Sequence, residues 1–170
     1  MFLLAFGSTA RYPDNESEVF NALVLSKLVY GLATAWLTKT ERSRLDGFQN
    51  RCLRVIYSIP PAFISRISNA AVLQKASQRA VTTMLLEQQL LIFGKIARMP
   101  SGTAMRDCTF CPGNFRPVVE RYVRRVGRPR LDWTTELQKI SFQIAGPTQS
   151  VEALLFEPSL WRSNVRRFCK

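Results

Sequence analysis

Histidine is absent from this chain of 170 residues. Its absence removes the Ser-His-Asp and Cys-His pairs, the His-containing zinc sites and the imidazole general base, which carry most hydrolytic chemistry. Aspartate is scarce: Asp14, Asp46, Asp107 and Asp132 stand apart, and no Asp-Asp or Asp-x-Asp pair is present to hold a catalytic metal. No catalytic centre and no cofactor are therefore expected within these residues. The four cysteines, Cys52, Cys108, Cys111 and Cys169, are too few and too scattered for a secreted disulfide framework. An intracellular, reducing compartment is the expectation, nuclear or cytoplasmic. Long apolar runs are missing too. The longer uncharged stretches, such as Leu28 to Thr38 and Val55 to Ser65, are about half of the roughly 20 residues that a membrane-spanning helix requires. The apolar Met1 to Phe6 has no basic residue ahead of it and falls short of a signal peptide. No membrane partner is expected.

What is abundant is positive charge. Lysine and arginine number 24 against 12 acidic residues, a formal net charge of +12. Such an excess points to a polyanionic partner, nucleic acid first among them. The charge is uneven: residues 95 to 170 carry fourteen basic side chains against six acidic ones. The densest stretch, Arg116 to Arg130, holds six arginines against Glu120 alone. Apolar residues make up 46% of the chain, enough for a packed core.

The periodicity is helical over most of the chain. A first helix is expected from about Glu16 to Leu37, with Val19, Leu23, Leu28 or Val29, and Leu32 as its buried stripe. Thr38 and Glu41 have capping-box spacing and open a second helix that ends before Pro60-Pro61. There Leu45, Phe48, Cys52 and Ile56 share one face, and Arg44, Arg51 and Arg54 form a basic outer face. Ser68-Asn69 can cap a third helix through about Lys75, and a longer one runs from Arg79 to Met99, stopped by Pro100-Ser101-Gly102. Prolines 112, 117 and 129 with glycines 102, 113 and 127 mark a loop or linker. After it, Asp132 caps a helix with Trp133, Leu137, Ile140 and Ile144 on one side. Ser150 caps a short one, and Ser159 caps a last one with Trp161, Val165 and Phe168 inward and Arg162, Arg166 and Arg167 outward. The expected fold is mainly α, an irregular multi-helix bundle with a basic Pro/Gly/Arg-rich loop and C-terminal helices. Three segments follow: a helical region over 1–100, the basic loop over 101–131, and a C-terminal helical segment over 132–170.

Three constellations carry chemistry. Gly127-Arg128-Pro129-Arg130, preceded by Arg124-Arg125, has an AT-hook-like core that can lie extended in the minor groove of A·T-rich DNA. The same arginines can instead contact phosphate without reading sequence, or dock on the protein's own helices; phosphate contact is the leading expectation. Cys108-Thr-Phe-Cys111 has the spacing of half a zinc site, but no His or second Cys-x-x-Cys completes it, so two ordinary thiols are expected. Tyr30, Trp36, Trp133 and Trp161 could stack on bases, yet they sit in or beside helical apolar patterns, and core packing is expected.

Read in order, four blocks carry a family resemblance. Lys27-Leu28-Val29-Tyr30-Gly31 is followed by Trp36. Then come Leu45-Asp46-Gly47-Phe48-Gln49-Asn50-Arg51-Cys52-Leu53-Arg54-Val55-Ile56, Phe93-Gly94-Lys95-Ile96-Ala97-Arg98-Met99, and Arg125-Val126-Gly127-Arg128-Pro129-Arg130-Leu131-Asp132-Trp133. Together they resemble the region downstream of the polymerase domain in LINE-type non-LTR retrotransposon reverse transcriptases, over about Leu25 to Leu137. The resemblance implies thumb-like helices over 1–100 and a basic tail that grips template RNA and target DNA. It implies an upstream polymerase domain of the same polyprotein as a partner. Lys95 stands where the family usually has histidine. The family's Tyr/Phe-x-Asp-Asp box is missing, so its catalytic residues transfer to no position here, and its zinc-knuckle arrangement does not match Cys108 and Cys111.

The nucleic-acid-binding residues expected are Arg121, Arg124, Arg125, Arg128 and Arg130 in the loop, Arg44, Arg51 and Arg54 on the second helix, and Lys95 with Arg98 in the family-like block. The competing readings are a stand-alone AT-hook-like DNA-binding protein and a relic or helical interaction module without selected activity.

Overall fold

A computed structural model describes residues 13–111, 114–118, 132–147 and 150–170. It is mainly helical, as the periodicity predicts, and no strand occurs among the described residues beyond an isolated bridge between Phe110 and Pro117. The helices are α1 (Pro13–Phe20), α2 (Ser26–Leu32), α3 (Lys39–Ile56), α4 (Ala62–Ser65), α5 (Asn69–Lys75), α6 (Val81–Ala97), α7 (Ala104–Thr109), α8 (Trp133–Ala145), α9 (Val151–Phe156) and α10 (Pro158–Phe168).

Between α1 and α2 the chain makes a π-helical turn, Asn21–Leu25. One wider turn advances the helical phase, because each π bond spans an extra residue. Phe20 faces inward before the turn, and Leu25, Val29 and Ala33 continue the buried stripe after it, while Val19 and Leu23, expected inside, are 56% and 58% exposed. The hydroxyl of Ser26 donates back to the Ala22 carbonyl within this turn. The helix stops at Leu32 and not at Leu37.

The capping box opening α3 forms as its spacing predicts: the Thr38 N–H donates to Glu41 Oε2 at 2.7 Å, and the Glu41 N–H donates to Thr38 Oγ1 at 3.3 Å. Which face of α3 is buried is less simple. Leu53 is fully buried, but Gln49, Asn50 and Arg54 are buried beside it, and Phe48 lies at the surface. These polar groups serve other elements. Gln49 Oε1 accepts from the Val81 N–H at 2.8 Å and Gln49 Nε2 donates to the Arg79 carbonyl at 2.9 Å, so α3 supplies the cap that α6 lacks locally.

Helix α6 is the spine. Its first half buries Val81 and Leu85 with Phe20, Leu25, Val29, Leu53, Ile59 and Val72. Its second half buries Leu90, Phe93, Ile96 and Ala97 with Phe110, Leu137, Leu154, Leu155, Trp161 and Val165. Residues before 100 and after 132 thus share one apolar cluster. Arg106 closes the C-terminal end of α6, donating to the carbonyls of Ala97 and Met99. Trp133 at the start of α8 donates through Nε1 to the Ala33 carbonyl at 3.1 Å, tying α8 to the end of α2.

Helix α10 begins two residues earlier than its sequence suggests. Pro158 takes the first helical position with Glu157 ahead of it, and the Ser159 hydroxyl donates to Glu157 Oε1 instead of capping. Trp161 and Val165 point inward, but Phe168 is exposed and Cys169 takes the inner position.

Candidate nucleic-acid interface

Every cation expected on α3 starts from the same helix, but the structure separates them. Arg44 and Arg51 are exposed, and Arg51 Nε donates to the Gly47 carbonyl one turn back. Arg54 is 7% exposed and belongs to the interior, which corrects its placement on an outer basic face. Its Nη1 donates to the Pro60 carbonyl at 3.0 Å and its Nη2 to the Ile67 carbonyl at 2.6 Å, with Ser65 Oγ and Asn69 Oδ1 at 3.4 and 3.2 Å. The planar fork of a guanidinium can meet four such acceptors together, and the α4 loop is tied to α3 in this way.

Arg44, Arg51 and Arg54 nevertheless line one cleft, between α3 and the segment from Pro61 to Asn69. The acids of α3 do not line it: Glu41 is held by Thr38, with the charge of Arg44 adding to the lowering of its pKa, and the Asp46 carboxylate accepts from the N–H and hydroxyl of Thr82, at 3.2 and 2.8 Å.

The family-like block on α6 divides similarly. Lys95 is exposed. Arg98 is half-buried and donates to the Leu155 carbonyl at 2.8 Å, so it anchors α9 to α6. Burial, with the like charge of Arg162 adding to it, lowers the Arg98 pKa, although a guanidinium remains protonated at neutral pH. The outer face of α10 carries Arg162, Arg166 and Arg167 as expected; Arg166 Nε lies 3.8 Å from Glu87 Oε1 and Arg167 donates to Asn164. Sequence periodicity found this face because α10 is a short, strongly amphipathic helix.

Arg121, Arg124, Arg125, Arg128 and Arg130 lie outside the described residues, and with them the AT-hook-like core. Arg116 is described and exposed. Cys108 is exposed on α7, and Cys111 Sγ lies 3.8 Å from the Pro117 carbonyl oxygen. Among the described residues no group of three or more Cys, Asp or Glu side chains could hold a metal ion. Burial, with Glu87 adding, pushes the Cys169 thiol up.

The aromatic residues fall into two groups. Trp161 is fully buried, and Trp36 and Trp133 pack against the same cluster. Arg42 covers the Trp36 ring, its guanidinium 4.1 Å from the centroid. Tyr30 differs from expectation: it is 86% exposed, because the shifted helical phase puts Val29 in the core and turns its neighbour out. Among the described residues no helix is long and apolar enough to cross a membrane. No protein-family model, curated protein or solved structure matches this chain.

Proposed function

We propose that this chain is a non-catalytic nucleic-acid-binding module, the helical post-polymerase part of a retrotransposon reverse transcriptase, which grips template RNA and target DNA. The observation that supports the reading is an excess of positive charge along one helix and its cleft: Arg44 and Arg51 are exposed beside buried Arg54, and no residue lining the cleft is acidic. Phosphate is the group that such a surface attracts, because each contact releases condensed counterions. Arg121, Arg124, Arg125, Arg128 and Arg130 add a second and denser basic stretch in the sequence. The upstream polymerase domain of the same polyprotein is the accompanying partner in this reading.

Binding of the full chain to duplex and single-stranded nucleic acid across a salt series tests it. With about five phosphates neutralised, log affinity falls against log salt with a slope near −4.5 on duplex DNA and near −3.5 on a single strand. Changing Arg124, Arg125, Arg128 and Arg130 together to alanine flattens the slope by roughly one unit per lost phosphate contact. An unchanged slope in that variant overturns the assignment.

A further inference from the structure

The segment between α3 and α5 is fixed largely by polar contacts. Arg54, buried on α3, donates to the carbonyls of Pro60 and Ile67, to Ser65 Oγ and to Asn69 Oδ1. Ser65 Oγ lies within hydrogen-bond distance of the Pro60 and Pro61 carbonyls and accepts from the Ile67 N–H at 3.3 Å. Ser68 caps α5 by accepting from the Ala71 N–H. A buried cation loses its hydration, yet here it secures a segment whose helix, α4, buries no residue. What α4 holds out instead is Phe63, 83% exposed, with Ile64 next to it, 63% exposed. Single exposed apolar residues are ordinary on a surface. Two side by side on a backbone held this firmly form a contact surface whose ordering cost is already met before any partner arrives.

The charge around this crown has one sign. From Gly47 to Leu86 the chain has five basic residues and no acidic one. Pro61 and Ala62, which precede Phe63, line the cleft of about 380 Å³ that also takes in Arg44 and Arg51. Arg66, exposed as they are, ends α4 in a left-handed conformation with φ 55°. A flat apolar face beside cations suits an unpaired base and its phosphates: the ring stacks on the base and the cations hold the backbone. An anionic membrane shares the charge complementarity, but a whole myristoyl chain gives only marginal binding, and these two side chains together are smaller than that. Entry into a duplex step would first break base stacking, which cancels most of the gain.

We propose that Phe63 is a stacking platform for an unpaired base of a nucleic-acid strand, with Ile64 flanking it and the neighbouring phosphates drawn by the exposed arginines of the cleft. Every base has a π face whichever sugar carries it, so the platform takes RNA and DNA alike. The inference rests on the nucleic-acid-binding reading above and adds the form of the strand, unpaired where it meets the protein, and the side chain that meets it.

The full chain is titrated against a single strand carrying 2-aminopurine, whose fluorescence is quenched on stacking, and against a blunt duplex of the same sequence. Phe63→Ala weakens single-strand binding roughly tenfold, leaves the duplex within about twofold and keeps the salt slope, because the phenyl neutralises no phosphate. Phe63→Leu, apolar but without a π face, loses as much, whereas Phe63→Trp keeps both affinity and quenching. Each variant replaces an exposed side chain, and circular dichroism verifies that it is folded. Full single-strand binding and quenching by Phe63→Ala or by Phe63→Leu overturns the platform while the nucleic-acid-binding reading stands. An equal loss on duplex and single strand overturns the unpaired base. Sedimentation with phosphatidylserine vesicles that Phe63→Ala abolishes, with strand binding unchanged, overturns the strand in favour of a membrane surface. No binding of any strand by the unmodified protein overturns the nucleic-acid-binding reading itself, and this site with it.

Discussion

The indole of Trp161 lies directly on Gly94, and its Nε1 donates to the Leu90 carbonyl one turn earlier on α6 at 3.0 Å. A Cβ on Gly94 would fall well inside contact distance of the indole Nε1 and Cδ1. Glycine inside a helix normally costs about 1 kcal/mol relative to alanine. Here the missing side chain is what lets α10 approach α6, and the deepest aromatic of the C-terminal cluster fills the space.

Gly94→Ala should therefore destabilise despite the better helix former. Overpacking of this kind costs about 1–3 kcal/mol, and with a backbone-fixed clash at the upper end of that range we expect a net loss approaching about 2 kcal/mol after the propensity gain of about 1 kcal/mol. Urea unfolding measures it. A variant as stable as the unmodified chain would show that α10 shifts freely, contrary to the packing described.

Gln49 and Asp46 cap α6 from another helix. Gln49→Leu leaves the Val81 N–H and the Arg79 carbonyl without their partner, at a cost of about 1–3 kcal/mol. Asp46→Ala removes the acceptor of the Thr82 N–H and costs about 1 kcal/mol. The pair should be non-additive, since both hold the same helix end. Amide exchange at Val81 and Thr82 reports the opening site by site, and strict additivity would mean that the two contacts are independent.

Arg54→Lys is not a conservative change. One ammonium cannot reach the carbonyls of Pro60 and Ile67 together with Asn69 Oδ1, and the variant should lose about 2 kcal/mol. Proteolysis should then cut first between Pro60 and Ser68. Protection equal to the unmodified chain in that segment would refute the tie between α3 and the α4 loop.

The Thr38 N–H and hydroxyl hold the Glu41 carboxyl below the ordinary glutamate range. The unfolded chain, with the ordinary value, binds the proton first as pH falls. The cap's contribution is complete above the ordinary glutamate range and is lost as pH drops through the depressed folded value. Thermal unfolding in pH steps should show this acid-side loss, with a shallower slope for Glu41→Gln. Identical slopes would remove Glu41 from the account.

Helix content was legible in the sequence because caps and apolar spacing are local. Thr38 with Glu41, Ser68, and the Trp161–Val165 stripe all lie where their spacing puts them. Phase was not legible across Asn21–Leu25, since a single π turn rotates everything after it and leaves no residue-type signature. The turn goes with burial of Leu25 in place of Leu23, and it selects Val29 over Leu28, which leaves Tyr30 exposed.

The candidate site divides along the same line. That α3 carries Arg44, Arg51 and Arg54, and that the chain is strongly basic, was fixed by composition and order. Which arginine faces solvent depended on acceptors contributed by Pro60, Ile67 and Asn69, and no helical period contains them. The same holds for Gln49: a polar side chain becomes interior when it meets backbone groups left open at another helix's end. Composition sets how much charge and apolar surface the chain has, and tertiary contacts decide which polar groups lose water, because partners for them come from distant segments.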